Sequence, residues 1–158
     1  MLRVTAGSCA AAALAGVVLA GCASAHNSGS AGPVPGSPVP GSAIRRLTAI
    51  VDQFVKVNGA VAPAWVSVVV TTHEKALTSA TPGDTVPGNE HTIVYLVTMK
   101  GHFIANMASK PYGAKIPTGS YASIVLNAKT FQMMDFGVSP KPPPVASASF
   151  GPVTYLKT

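Results

Sequence analysis

Charged residues are scarce in this chain. Of its 158 residues, eleven are Lys or Arg and five are Asp or Glu, which makes 10% charged, against about 25% in typical soluble proteins. Acid–base catalysis and metal binding depend on carboxylates, and two of the five, Asp84 and Glu90, fall in a stretch rich in Pro-Gly that predicts a flexible loop. The lysines are dispersed without an aromatic-basic patch, so the composition predicts no binding of nucleic acid.

Cysteines and long apolar runs are also few. The two cysteines are Cys9 and Cys22, and the longest apolar run extends from Ala10 to Ala20. As a helix this run reaches only about 16 Å, whereas the hydrocarbon core of a membrane is roughly 30 Å thick. A secretory signal peptide typically has a positively charged start, a short apolar segment and small residues before the cleavage site. This chain has Arg3 near its start, and the other two features follow. The sequence therefore predicts export.

The four residues Leu19-Ala20-Gly21-Cys22 resemble the lipobox of bacterial lipoproteins. This resemblance implies a signal peptide over residues 1–21, a lipid on the Cys22 thiol, and a domain held on the extracytoplasmic side of the cell membrane. Cleavage would also remove Cys9, so the mature chain would form no internal disulfide. The alternative is an unmodified Cys22 beside a conventional cleavage site after Ala25.

The next segment, residues 22–42, is rich in Pro, Gly and Ser and contains the pentapeptide Pro-Val-Pro-Gly-Ser twice in succession. Such a composition buries too little apolar surface to offset the entropy of ordering the chain. We therefore predict a disordered tether, followed by a single globular domain over residues 43–158.

An amphipathic helix is predicted to open this domain, with Ser42 as its N-cap and Gly59 just past its end. Its apolar positions recur at helical spacing and are Ile44, Leu47, Ile50, Val51 and Phe54. The opposite face carries Arg45, Arg46, Asp52 and Lys56, and we interpret it as solvated.

Segments with period-two alternation follow at 64–72, 92–99, 120–128 and 131–138, with a further edge strand possible at 153–156. A helix followed by strands, without alternating βαβ units, predicts an α+β fold in which one helix packs on a small antiparallel sheet. The expected core is made of the following residues or their neighbours on the alternate positions: Leu47, Val51, Phe54, Val68, Val70, Tyr95, Val97, Ile124, Leu126 and Met134.

Three stretches carry a resemblance to known proteins: VYLVTMKGHF, PTGSY and VLNAKTFQMMDFGV. They resemble small exported lipoproteins of actinobacteria whose function is not assigned, and the last also resembles the strand-turn-strand of PepSY-like domains. This sequence has Asn127 where an aspartate is usual and Phe131 where a glycine usually supplies a positive φ. The resemblance spans Val66 to Leu156 and implies a regulatory, inhibitory or ligand-binding module, with no catalytic residues to carry over.

Catalytic and metal-binding patterns are not recognisable. The sequence has no Gly-x-Ser-x-Gly motif, and the pairs His73-Glu74 and Glu90-His91, with His102, do not form His-Glu-x-x-His. We therefore predict no catalytic site, metal or cofactor, and interpret these histidines as surface residues at strand ends.

Soft and aromatic residues near the second long loop predict a binding surface made of Tyr95, Phe103, Met107, Tyr112 and Tyr121. Packing in the core and pinning of the loop are the alternative explanation for the same residues. The leading hypothesis is a non-catalytic module that binds or regulates another envelope protein. A carrier of a small apolar ligand in a pocket between helix and sheet is the alternative, and an envelope enzyme comes third.

Overall fold

The computed structural model describes residues 32–58, 61–80, 88–144 and 146–158. The predicted signal peptide, the lipobox Leu19, Ala20 and Gly21, and Cys22 lie outside these residues, as does Asp84. The helices are α1 (Gly41–Val57) and α2 (His73–Ala80), with a short 3-10 turn at Ser147–Phe150. The strands are β1 (Trp65–Thr72), β2 (Ile93–Ile104), β3 (Thr118–Asn127), β4 (Met133–Ser139) and β5 (Thr154–Leu156).

The five strands form one sheet in the order β4-β3-β2-β1-β5, and every neighbouring pair is antiparallel. The α+β class predicted from the sequence is confirmed. The long strands are close to those predicted because valine-rich alternation suits a pleated surface with two buried sides. The predicted edge strand near the C-terminus is present as β5, which pairs with β1.

Helix α1 covers one face of the sheet. Leu47, Val51 and Phe54 point from the helix into the sheet, where they are no more than 2% exposed. The Phe54 ring lies 5.9 Å from Phe136 and 6.5 Å from Phe103, measured between ring centroids. The layer between helix and sheet is therefore filled by large apolar side chains.

Nine of the ten predicted core residues belong to this layer, and Met134 does not. The register shifts between Val125 and Leu126, whose partners on β4 are Asp135 and Met133. This bulge places Met133 against the core on the α1 side, whereas Met134 packs with the cluster on the other face.

The start of α1 differs from the prediction. Pro40 occupies the N-cap position without a side-chain hydrogen bond, and Ser42 lies inside the first turn. Pro40 still accepts a hydrogen bond from the Ala43 amide at 2.9 Å. Ser42 is therefore not the cap that the spacing predicted. The charged face of the helix is exposed as expected.

The other face of the sheet is partly covered by α2, which sequence patterning did not predict. Ala76 and Leu77 are buried against it, and Ala76 packs with Val69, Val94, Leu96 and Val125. His73, interpreted above as a surface residue, is only 3% exposed because it begins this helix at the end of β1.

Residues 33–42 belong to the domain rather than to a disordered tether. The first pentapeptide closes a turn in which the Ser37 amide donates to the Val34 carbonyl, with φ of +75° at Gly36. The Gly36 amide then donates to the Val70 carbonyl at 2.9 Å, along the edge of β1 beyond its pairing with β5. The predicted tether therefore ends before Pro33.

The β3–β4 turn lies where the alternation predicted it. The Asn127 Oδ1 accepts hydrogen bonds from the amides of Lys129 and Thr130 at 2.9 and 3.0 Å. Phe131 adopts a φ of +62° despite its large side chain. Asparagine thus organises this turn through its own side chain, as Asx turns do.

Candidate functional site

The five residues predicted to form a binding surface do not lie together. Tyr95 and Phe103 are 1% and 0% exposed and belong to the core under α1. Their period-two positions place them on the inward face of β2. Burial also raises the pKa of the Tyr95 phenol above its usual range. These two residues are therefore not part of a surface.

The other three predicted residues separate into two regions. Met107 and Tyr112 lie on the connection between β2 and β3, where they are 46% and 108% exposed. The Met107 sulfur receives a long hydrogen bond from Asn58 Nδ2 at 3.6 Å. Tyr121 instead lies on β3, on the face opposite α1, where its ring centroid is 6.4 Å from that of Trp65.

Trp65 and Tyr121 form one wall of a surface groove of about 300 Å³ on that face. Its rim also includes Tyr155 of β5 and two prolines of the segment after β4, Pro142 and Pro143. Hydroxyl groups line it as well, from Ser67, Thr98 and Ser147. We call this feature the aromatic groove.

Strand register explains why these side chains meet. Trp65 of β1 pairs with Lys100 of β2, and Lys100 pairs with Tyr121 of β3. Alternation sends Trp65 away from α1 while its neighbour Val66 enters the core. The two aromatic residues therefore stand on either side of Lys100 in one cross-strand row, and their ring planes are inclined to each other at 59°.

Small polar residues occupy the next row of the sheet. Ser67 pairs with Thr98 on one side and with Tyr155 on the other. The hydroxyl of Ser147 lies 3.5 Å from both Ser67 Oγ and Thr98 Oγ1, and Ser67 donates to the Thr98 carbonyl at 3.4 Å. Ser67, Thr98 and Ser147 therefore form a polar floor between the apolar walls of the groove.

The side chains that line the groove are uncharged, and the exposed Lys100 stands beside them, between Trp65 and Tyr121 in the same row. Every residue that lines the groove is neutral at pH 7, and its rim is the part open to solvent, with Trp65 36% and Tyr155 69% exposed. Helix α2 covers the same face near Val69 and Leu96, so the aromatic end of the face is the part that the helix leaves open. An uncharged, aromatic and partly polar surface can bind a neutral ligand with both apolar rings and hydrogen-bond acceptors.

The surface predicted from the sequence includes Tyr121 but neither Trp65 nor Tyr155. Alternation was the available signal, because it places Trp65 and Ser67 on the same face of β1. A face that mixes an aromatic and a polar residue is less continuously apolar than a core face, and can be solvated or can bind a ligand. Tyr155 carried no such signal, because β5 has only three residues.

Candidate metal-binding residues are also dispersed. His91 and His102 are exposed, whereas His73 is buried with no hydrogen-bond partner at either ring nitrogen. Hydrogen bonds from the Glu90 and Gly88 amides lower the pKa of the Glu90 carboxyl. Within residues 32–58, 61–80, 88–144 and 146–158, no three His, Cys, Asp or Glu side chains are grouped so that they could hold a metal ion.

Comparisons with protein-family models, with curated proteins and with solved structures found no match to this chain. The resemblance to PepSY-like domains and to actinobacterial lipoproteins therefore stays a prediction. In the described part of the chain, no helix combines the length and apolarity needed to cross a membrane.

Proposed function

We propose that this chain is a lipid-anchored protein of the cell envelope whose domain binds another protein through the aromatic groove, without catalysing a reaction. The observation that carries this proposal is the grouping of the exposed Trp65 and Tyr155 with the half-buried Tyr121 around one groove. Tryptophan and tyrosine are enriched at protein interfaces because they bury a large apolar area while keeping a hydrogen-bonding group. The groove has both of these features.

The proposed location depends on the lipobox and not on the groove. Two or more acyl chains on Cys22 would hold the protein at the membrane effectively permanently, since each buried methylene contributes about 0.8 kcal/mol. The domain would then meet partners that share the same membrane or lie close to its outer surface.

A carrier of a small apolar ligand has less support. The layer between α1 and the sheet, where such a ligand was expected, is filled by side chains such as Leu47, Phe54 and Phe103. The aromatic groove, at about 300 Å³, is at the lower limit of the usual size of small-ligand pockets and is open on one side. These features suit an extended segment of a protein better than an enclosed small molecule.

The proposal is tested by capturing envelope proteins with the full chain and with two variants. A Trp65→Ala/Tyr121→Ala double variant removes the aromatic wall, and Tyr112→Ala removes a fully exposed tyrosine outside the groove. We expect at least one protein to be retained by the wild type and by Tyr112→Ala but lost with the double variant. Capture of the same proteins by all three chains, with comparable circular dichroism spectra, would contradict the proposal.

A further inference from the structure

We infer that the aromatic groove recognises a proline-rich segment in the polyproline II conformation. This inference rests on the proposed function, because it assumes that the groove binds a protein. It starts from the chain's own residues: the segment after β4 reads Lys141-Pro142-Pro143-Pro144, and its two central prolines line the same groove as Trp65 and Tyr121. Proline rings and aromatic rings therefore already border one space.

The shape of the groove suits a second proline-rich strand. Trp65 and Tyr121 meet at an angle of 59°, which makes a corner into which a compact ring can pack. Tyr155 stands on the β5 side, 69% exposed. A polyproline II helix has three residues per turn and presents flat pyrrolidine rings along its edges, which is why aromatic-lined grooves recognise it.

The polar floor suits the backbone of such a segment. A polyproline II helix makes no internal hydrogen bonds, so its carbonyl groups need donors from outside. The hydroxyl of the half-buried Ser147 and the indole N–H of the exposed Trp65 are the donors nearest to solvent, whereas Ser67 and Thr98 beneath them are 3% and 2% exposed. Their present hydrogen bonds, at 3.4 to 3.5 Å, are long enough to be exchanged at little cost.

The charge of the groove selects the same class of ligand. Phosphorylated or strongly acidic segments are recognised by clustered arginines, whereas the lining of this groove is neutral and a single lysine, Lys100, stands beside it. Proline, by contrast, is uncharged and has little conformational freedom to lose on binding, so aromatic contact alone can retain it.

Trp65 is the only tryptophan of the chain, so its fluorescence reports directly on the groove. The full chain, purified in detergent, is titrated with acetylated decaproline and, separately, with a Gly-Ser decapeptide and with tetra-N-acetylchitotetraose. We expect a saturable change in Trp65 emission with decaproline only. Tyr121→Ala and Tyr155→Ala should each weaken the apparent affinity about tenfold or more, while Tyr112→Ala should leave it unchanged.

Two variants keep the test decisive. Tyr155 is mostly exposed, so Tyr155→Ala should fold even if the half-buried Tyr121→Ala does not. A lack of saturable binding of decaproline, equal binding of the Gly-Ser peptide, or binding of the sugar alone would overturn the inference. If the groove variant still loses a captured envelope protein in such a case, the inference fails while the proposed function stands. If no groove-dependent capture occurs either, both fail.

Discussion

Phe131 holds a backbone conformation that its own side chain opposes. A φ of +62° places it in the left-handed region, which costs a non-glycine residue roughly 1–2 kcal/mol. Two contacts offset this cost: the Phe131 ring lies 5.5 Å from Tyr95, and the Arg46 guanidinium stands 4.4 Å above it. Arg46 also donates to the Thr130 carbonyl at 3.0 Å. The turn is thereby joined to α1.

The ring contacts of Phe131 stabilise the domain and its backbone strain destabilises it, which predicts an unusual order of stability among variants at this position. Phe131→Ala should destabilise the domain by about 1–2 kcal/mol, because it loses the ring contacts and keeps the backbone strain. Phe131→Gly loses the same contacts but relieves the strain, so it should be about 1 kcal/mol more stable than the alanine variant. Urea unfolding of the two variants measures this difference, and an alanine variant as stable as the glycine variant would show that the backbone at 131 is not strained.

At the scale of elements, one pentapeptide has two structures. In its first copy, Pro33 to Ser37, it forms a turn beside the edge of β1; in its second copy it brings Val39, 7% exposed, into the core and leads into α1. Because the local sequence is identical, tertiary contacts decide the difference. The first copy approaches the C-terminal segment so closely that a Cβ on Gly151 would lie 2.8 Å from the Gly36 Cα.

Replacement of Gly151 tests whether the first copy is docked in this way. The φ of Gly151 is +129°, so Gly151→Ala adds both backbone strain and a collision with Gly36. We expect a loss of about 2 kcal/mol or more in the free energy of unfolding. The matched control is Gly41→Ala, since Gly41 has open space around it and lies in the first turn of α1. Equal stability of the two variants would mean that residues 33–37 do not contact Gly151.

Helix α2 could not be predicted from its local sequence. Eight residues are too few to form a stable helix alone. The segment also mixes polar and small residues, so its apolar pattern is weak. Burial of Ala76 and Leu77 on the sheet supplies the missing stability. Only the presence of a sheet face next to the end of β1 makes this segment helical.

At the scale of the whole molecule, the two faces of the sheet differ in what they can do. The α1 face is closed, with Leu47, Val51 and Leu126 fully buried. The opposite face is closed at one end by α2 and open at the other, where the aromatic groove lies. The groove that we propose for recognition therefore lies on the side of the sheet opposite the α1 core.

The proposed location at the membrane depends on a single atom, the sulfur of Cys22. Cys22→Ala should prevent lipid attachment, so the protein should move almost entirely from the membrane fraction to the soluble extracytoplasmic fraction. Cell fractionation with immunoblotting measures this, and mass analysis of the wild-type N-terminus is the control. A wild-type chain with an unmodified thiol, or a variant that stays in the membrane fraction, would contradict the anchor.

Much of the fold could be predicted from the sequence, and little of the groove. The strands around Val68, Val97 and Ile124 were predictable because alternation by two places side chains on opposite sides whatever the context. The groove was not, because Trp65, Tyr121 and Tyr155 lie on three strands whose order and register are non-local. Tyr95 and Phe103 were assigned to a surface for the same reason: aromatic character does not say which face of a strand is covered.

The sequence by itself determined the α+β class, the main helix, the long strands and the lipobox-like motif, since each depends on spacing within a short stretch of chain. The tertiary structure alone decided that residues 33–42 are ordered, that α2 exists, and which end of the sheet remains open. The physical reason is that each of these depends on burial against residues distant in sequence, such as Gly36 beside Gly151 and Ala76 above Val125.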